Sequence, residues 1–173
     1  MPKSEPIPRT LFHGTLTKYV PSIRLHGLRV STIGVHPGFE MDSAGCVFVT
    51  DSEKAARFFG IATAMDKGEK EIDFTVLVID KFKAEMGDVV FFEPQGKLGK
   101  GYGGKQYVAC KDIPPYAIVG YIRVYQDPVT GKVVTERGDF DQGDAPYPLR
   151  VEGRHEQISV SRRPVRTHYR RSR

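Results

Sequence analysis

Residues 72–79 constrain the fold more than any other segment of this chain. Their side chains alternate in two sets, Phe74, Val76 and Val78 on one face and Thr75, Leu77 and Ile79 on the other. Because both sets are largely apolar, a strand with this pattern has to be covered on both of its faces. The pattern therefore predicts a strand in the centre of a sheet.

Short β-forming segments between turn signals make up most of the remaining pattern. They predict strands at residues 10–13, 46–50, 89–92, 105–110, 118–125 and 132–135. Helical patterns are fewer. One helix is predicted at residues 21–26, before Gly27, and a second begins after a cap at Asp51 or Ser52 and runs to about Met65. The face of the second helix that is predicted to pack on the sheet carries Ala55, Phe58 or Phe59, Ala62 and Met65.

This order of elements predicts an α+β fold. Two main helices come early and strands dominate later, which disfavours a doubly wound sheet and favours a split or half-barrel β architecture with the helices on one side. The chain of 173 residues is long enough for one domain with a core. We divide it into an extended leader (residues 1–9), a folded domain (residues 10–137) and a polar, mostly disordered tail (residues 138–173).

The positive charge of the chain is concentrated in that tail. Residues 150–173 contain eight arginines and two glutamates, whereas the whole chain has a net charge of +5. An arginine-rich segment of this kind can follow the phosphates of a nucleic acid, or it can be a solvating tail that binds polyanions only weakly. Both interpretations stay open from the sequence.

Several function classes are disfavoured by composition. No apolar run approaches the roughly 20 residues of a membrane span, and the N-terminus has no apolar segment typical of a signal peptide. The two cysteines, Cys46 and Cys110, lie in apolar, strand-like runs and lack a nearby histidine pair. We therefore predict no membrane association, no metal site, and two buried, reduced thiols in a cytoplasmic protein.

Residues 11–15 are the first candidate binding segment. His13 follows a short apolar strand, Gly14 permits a ligand to approach the backbone, and Thr15 adds a hydroxyl group. A main-chain N–H and C=O beside a hydroxyl suit a planar carboxamide next to a sugar. The alternative is a histidine at a strand end followed by a turn glycine.

Two later segments supply further candidates. Phe48 and Thr50 lie on one face of a predicted strand, and Phe58 and Phe59 follow on the next helix. These aromatic rings can form the floor of a pocket for a flat ring, or they can belong to the core. Gln106 follows a glycine-rich loop at residues 95–104. Its amide can bond a ribose hydroxyl or orient a nucleophile, or it can be a solvated residue at a strand end.

Together the three segments resemble the histidine-type branch of the ADP-ribosyltransferase superfamily. This branch includes the poly(ADP-ribose) polymerase catalytic domains, the rifamycin-modifying transferases and the RNA 2′-phosphotransferases. The resemblance covers roughly residues 10–125. It rests on the order of three motifs: Phe12-His13-Gly14-Thr15, then Val47-Phe48-Val49-Thr50, then Gln106-Tyr107-Val108.

The resemblance implies the split β-sandwich of that family, with NAD as co-substrate in a cleft between two small sheets. Gly14 would bind the nicotinamide carboxamide through its backbone, and His13, helped by Thr15, would hold a hydroxyl of the adenosine-side ribose. The other implied NAD contacts are Thr50, Phe48 as the stacking ring, and Phe58 or Phe59 as a second aromatic wall. His13, Phe48 and Gln106 would occupy the catalytic positions of a mono-ADP-ribosyltransferase that releases nicotinamide.

Two positions depart from the family pattern. Phe48 stands where a tyrosine is usual, and Gln106 stands where the chain-elongating branches have glutamate. The second departure favours transfer of a single ADP-ribose to an acceptor that is a protein, a nucleic acid or a small molecule. The alternatives are a non-catalytic module that binds NAD, ADP-ribose or nucleic acid on the same fold, and a nucleic-acid-binding protein that resembles the family by chance.

Overall fold

The computed structural model describes residues 5–30, 45–94 and 103–140. These residues form an α+β fold around one seven-stranded antiparallel sheet, with the order β4-β5-β2-β1-β3-β6-β7. The strands are β1 (Thr10–Leu16), β2 (Val47–Thr50), β3 (Asp73–Asp80), β4 (Phe91–Phe92), β5 (Gln106–Ala109), β6 (Ile118–Gln126) and β7 (Val133–Asp139). The helices are α1 (Val20–His26), α2 (Glu53–Asp66) and α3 (Lys81–Glu85), with short 3₁₀ turns at Thr17–Tyr19 and Pro115–Ala117.

The central strand predicted from the alternating pattern is confirmed as β3. It lies between β1 and β6 and is paired with β1 along seven residues. Leu77 and Ile79 contribute to a core that packs under α1 and α3, whereas Phe74 and Val76 contribute to a second core under α2. Burial of both faces explains why this segment has no regular polar positions.

The sheet is divided between β1 and β2. These two neighbours share one registered pair, Phe12 with Thr50, whereas β2 and β5 share four. The strands β4-β5-β2 therefore form one small half of the sheet and β1-β3-β6-β7 the other. The sheet has a second irregularity, a register shift between Val78 and Ile79 where β3 pairs with β6.

Helix α2 covers one face of the sheet through small residues. Ser52 caps it, as predicted, by accepting a hydrogen bond from the N–H of Ala55 (3.3 Å). The predicted buried face is wrong in part, because Phe58 and Met65 are exposed. The buried residues are Ala55, Ala56, Gly60 and Ala64, whose small size lets the helix approach the sheet closely.

Several predicted boundaries also differ. The first strand was expected to end at His13 but continues to Leu16, so His13 lies in mid-strand. Helix α3 was not predicted, and the strand predicted at residues 89–92 is reduced to Phe91–Phe92. Strand β7 extends to Asp139 and is followed by the buried Phe140, beyond the predicted domain boundary at residue 137.

The cysteine prediction is wrong in one respect. Cys110 is exposed and Cys46 is half-buried, so they are not two buried thiols. Residues 31–44, most of the glycine-rich loop and the arginine-rich tail lie outside the described residues. Among the helices that are described, none combines the length and the apolar character needed to cross a membrane.

Candidate functional site

The fold brings the three candidate segments onto adjacent strands, in the order β5-β2-β1. Thr50 of β2 is the registered partner of both Phe12 on β1 and Gln106 on β5. Phe48 and Thr50 lie on the same face of β2, as predicted from the period of two. Five candidates, His13, Gly14, Phe48, Thr50 and Gln106, are thus on three neighbouring strands, of which β1 and β2 border the split.

The imidazole of His13 closes one end of the split. Its Nδ1 lies 2.7 Å from the main-chain oxygen of Phe48. Because a carbonyl oxygen only accepts hydrogen bonds, Nδ1 must carry the proton in this contact. Burial lowers the pKa of His13, although the Phe48 contact opposes this effect. The ring is therefore neutral near pH 7 and presents Nε2 as an acceptor.

The main chain of Gly14 faces the split. The N–H of Lys81 donates to the oxygen of Arg9 (2.8 Å), so residues 9, 11, 13 and 15 direct their main-chain groups toward β3. By alternation, Phe12 and Gly14 direct theirs toward β2. Phe12 has a registered partner there, but among the described residues no strand pairs with Gly14 on this side.

The contact of His13 with Phe48 has a direct consequence for Gly14. In a continuous antiparallel ladder, the pair after Phe12 and Thr50 would be Gly14 and Phe48. The carbonyl oxygen of Phe48 instead accepts from the His13 ring. Within the described parts of the chain, the N–H and C=O of Gly14 thus have no strand partner on this side and face a ligand that enters the split.

The missing side chain of Gly14 also has a structural reason, which was not predicted. A Cβ atom there would lie 2.2 Å from the main-chain oxygen of Ala56 and 2.7 Å from the nitrogen of Gly60. The glycine is required because α2 crosses β1 at this point. The α carbon of Gly14 packs against the helix, and its peptide groups face the split.

Gln106 is buried with an unsatisfied donor. The residue is only 5% exposed, and its Nε2 has no hydrogen-bond partner within the described parts of the chain. This burial excludes a solvated glutamine at the strand end. A buried amide nitrogen without a partner costs about 1–3 kcal/mol. Beside it, Thr50 Oγ1 accepts from the N–H of Ser52 (3.2 Å). Gln106 is accordingly a candidate donor to a ligand oxygen.

The remaining candidates are less central. Thr15 is buried on the face of β1 opposite to Gly14, the face that also carries His13. Phe58 is 45% exposed on α2, and its ring meets that of Phe59 edge-on, with centroids 5.8 Å apart. These two rings pack against each other on α2.

Sequence reasoning missed what holds β5 in place. The carboxylate of Asp51 accepts from the N–H of Lys105 (2.8 Å), and the N–H of Asp51 donates to the oxygen of Lys105 (3.2 Å). A Cβ at Gly104 would lie 2.3 Å from the Cβ of Ser52, so this position also needs a glycine. The sequence indicates Asp51 only as a possible helix cap. The sequence feature that could have indicated this contact is an aspartate directly after a predicted strand.

The fold and the candidate site together define an α+β protein with a divided antiparallel sheet and a polar site at the division. No protein-family model and no curated protein matches this sequence. Among solved structures, the fold is similar to a chain named EcPltA, with a TM-score of 0.50 and 13% sequence identity. The similarity covers 79% of this chain and 88% of that chain. At this identity the likeness concerns the fold alone.

Proposed function

We propose that this protein is an NAD-dependent mono-ADP-ribosyltransferase, which transfers ADP-ribose from NAD to an acceptor and releases nicotinamide. The observation that carries the proposal is the pair of Gly14 main-chain groups facing the split while His13 holds the carbonyl of Phe48. The family resemblance of the three sequence motifs supplies the substrate class.

A carboxamide complements the main-chain N–H and C=O of Gly14. The N–H and C=O of one strand residue point to the same side, so they donate one hydrogen bond and accept another in one plane. The nicotinamide carboxamide offers an oxygen to the first group and an amino group to the second. Phe48, which lies next to the split and is half-buried, would pack on the flat ring.

The two other polar groups suit a ribose. The neutral His13 ring can accept from a ribose hydroxyl through Nε2, and the unsatisfied Nε2 of Gln106 can donate to a ribose oxygen. Binding at Gln106 would also relieve the cost of burying an unsatisfied amide. The site therefore orients the two riboses of NAD with uncharged groups.

The proposed reaction breaks the bond between the ribose C1′ and the nicotinamide nitrogen. The electron pair leaves with nicotinamide, the ribose develops oxocarbenium character, and the acceptor nucleophile attacks C1′ and loses a proton to solvent. Gln106 brings no negative charge to this step, which favours slow, single transfer over chain elongation. The contribution of the protein is orientation and exclusion of water from the split.

The test follows free nicotinamide after the full-length protein is mixed with NAD, alone and with cell lysate as a source of acceptor. We expect nicotinamide release that falls at least about 100-fold in His13→Ala, since that change removes both contacts of the ring. His26→Ala, at an exposed position at the end of α1, is the matched control. Undiminished release in a folded His13→Ala protein contradicts the proposal.

A non-catalytic NAD- or ADP-ribose-binding module is the second candidate. The observation that favours it is the absence of a carboxylate at Gln106, next to a site that otherwise has donors and acceptors for a ligand. The same samples distinguish the two functions. An NAD-dependent rise in melting temperature without nicotinamide release indicates the binding module, whereas release indicates the enzyme.

A further inference from the structure

Cys46 and Cys110 meet at the end of the β2–β5 ladder. Their Sγ atoms are 3.0 Å apart although the residues are 64 positions apart in sequence. They are the only two cysteines of the chain. This proximity was not predicted from the sequence, and the proposed function does not use it.

The register places the two cysteines opposite each other. Val47 pairs with Ala109, so Cys46 and Cys110 are the next pair outward. The N–H of Asp51 donates to the oxygen of Lys105, which makes 51/105, 49/107 and 47/109 the hydrogen-bonded pairs. By alternation, Cys46 and Cys110 stand at a position that is not hydrogen-bonded.

Such a position suits a disulfide bond. Residues opposite each other there have Cα atoms about 4.5 Å apart, within the range of roughly 4.4–6.8 Å found for disulfides. Rotation of the two side chains can therefore close the bond without moving the strands. Cys110 is exposed and can be reached by an oxidant, while the half-buried Cys46 lies beside it.

The pair lies close to the candidate site. Cys46 is two residues from Phe48 on the same face of β2, and Cys110 is four residues from Gln106 on the same face of β5. Strand β2 is joined to β1 by one registered pair only. A covalent link would therefore restrain the half of the sheet that is least firmly attached.

We propose that Cys46 and Cys110 are an oxidation-sensitive pair that forms a cross-strand disulfide between β2 and β5 by exchange with a low-molecular-weight disulfide such as oxidised glutathione. The thiolate of Cys110 attacks one glutathione sulfur and releases one glutathione thiolate. The thiolate of Cys46 then attacks the Cys110 sulfur of the mixed disulfide and releases the second. The pair loses two electrons, glutathione gains them, and the two thiol protons pass to the released thiolates.

The experiment equilibrates the full-length protein in buffers of increasing ratio of oxidised to reduced glutathione, followed by acid quenching, alkylation of remaining thiols and intact-mass measurement. We expect one transition to a species that has lost two hydrogens and accepts no alkylating reagent. Its melting temperature should exceed that of the reduced protein by about 5–10 °C. Cys46→Ser and Cys110→Ser are matched controls, because each keeps one thiol but cannot form the internal bond.

Three results overturn the proposal. In the first, the oxidised wild type carries glutathione on each cysteine and no internal bond. In the second, it forms dimers that a non-reducing gel resolves. In the third, both thiols stay alkylatable at every ratio. None of these readouts depends on NAD, so failure here is distinguishable from failure of the proposed enzymatic function.

Discussion

At the scale of single residues, Gln106 shows most clearly a side chain that lowers the stability of the fold but can serve to bind a ligand. A natural core retains few buried amide donors without a partner, because each one reduces stability. Among the described residues Gln106 is such a donor, and it lies beside Thr50, the residue that joins three strands of the site. A ligand that accepts from this nitrogen would explain why a polar side chain occupies a buried strand position.

This conflict gives a prediction for Gln106→Met. The change keeps the length of the side chain and removes the unsatisfied donor, so we expect the free energy of unfolding to rise by about 1 kcal/mol. The same variant should lose the NAD-dependent rise in melting temperature. Urea denaturation, with and without NAD, measures both effects.

Gln126 provides the matched control, because it is exposed and its Nε2 donates to the oxygen of Gly131 (3.0 Å). Gln126→Met should leave the stability unchanged or lower it by up to about 1 kcal/mol, and it should leave the response to NAD intact. If Gln106→Met is instead less stable than the wild type and still responds to NAD, Gln106 is an ordinary structural residue.

At the scale of elements, the packing of α2 on β1 is the contact that the sequence did not reveal. Strand and helix positions were largely predictable because periodicity and caps are local signals, as for β3 and the Ser52 cap. Helix α3 was missed because five residues with an exposed Phe82 show no apolar periodicity. The continuation of β1 past His13 was missed because pairing with β3 sustains it, and register is not a local property.

At the candidate site, too, local features were predictable from the sequence and features that depend on strand pairing were not. The residue types at positions 13, 14, 48 and 106 were identified from the sequence, and the fold places them on neighbouring strands. The contact of His13 with the Phe48 carbonyl was not predictable, since it depends on where the β1–β2 ladder stops. The role of Gly14 was predictable only in part, because its contact with α2 depends on the path of the helix.

Gly14→Ala tests the packing of these two elements. The added Cβ would lie 2.2 Å from a main-chain oxygen of α2, which cannot move without displacing the helix. We therefore expect a loss of about 3 kcal/mol in the free energy of unfolding, measured by chemical denaturation.

Gly120→Ala is the matched control within the same sheet. A Cβ there would approach no described atom closer than 3.3 Å, so the expected change is at most about 1 kcal/mol. If Gly14→Ala and Gly120→Ala change the free energy of unfolding by similar amounts, the packing of α2 on β1 does not depend on the glycine at position 14.

At the scale of the whole molecule, His13 links the stability of the fold to pH. Burial lowers the pKa of His13 in the folded protein below its ordinary value of about 6.5. Between the two pKa values the unfolded chain binds a proton that the folded protein does not. The free energy of unfolding should therefore fall as the pH falls below about 7 and through this interval, and denaturation at a series of pH values measures it.

The pH range of this loss of stability distinguishes the titration of His13 from that of the carboxylates. Hydrogen bonds from Arg137 lower the pKa of Glu53, and those from Arg9 lower the pKa of Asp80. Their contribution to stability is present above their ordinary pKa values, near 4, and is lost only at more acidic pH. A loss of stability between about pH 7 and pH 5 is therefore assigned to histidine.

His13→Asn provides the decisive comparison, because its side-chain amide can donate to the Phe48 oxygen but does not titrate. We expect this variant to lose the slope between about pH 7 and pH 5, whereas His26→Asn, changed at an exposed position, keeps it. A slope that survives in His13→Asn would place the titrating group elsewhere. A slope that disappears would show that the molecule is most stable when the His13 ring is neutral, the state in which its Nδ1 holds the split and its Nε2 is an acceptor.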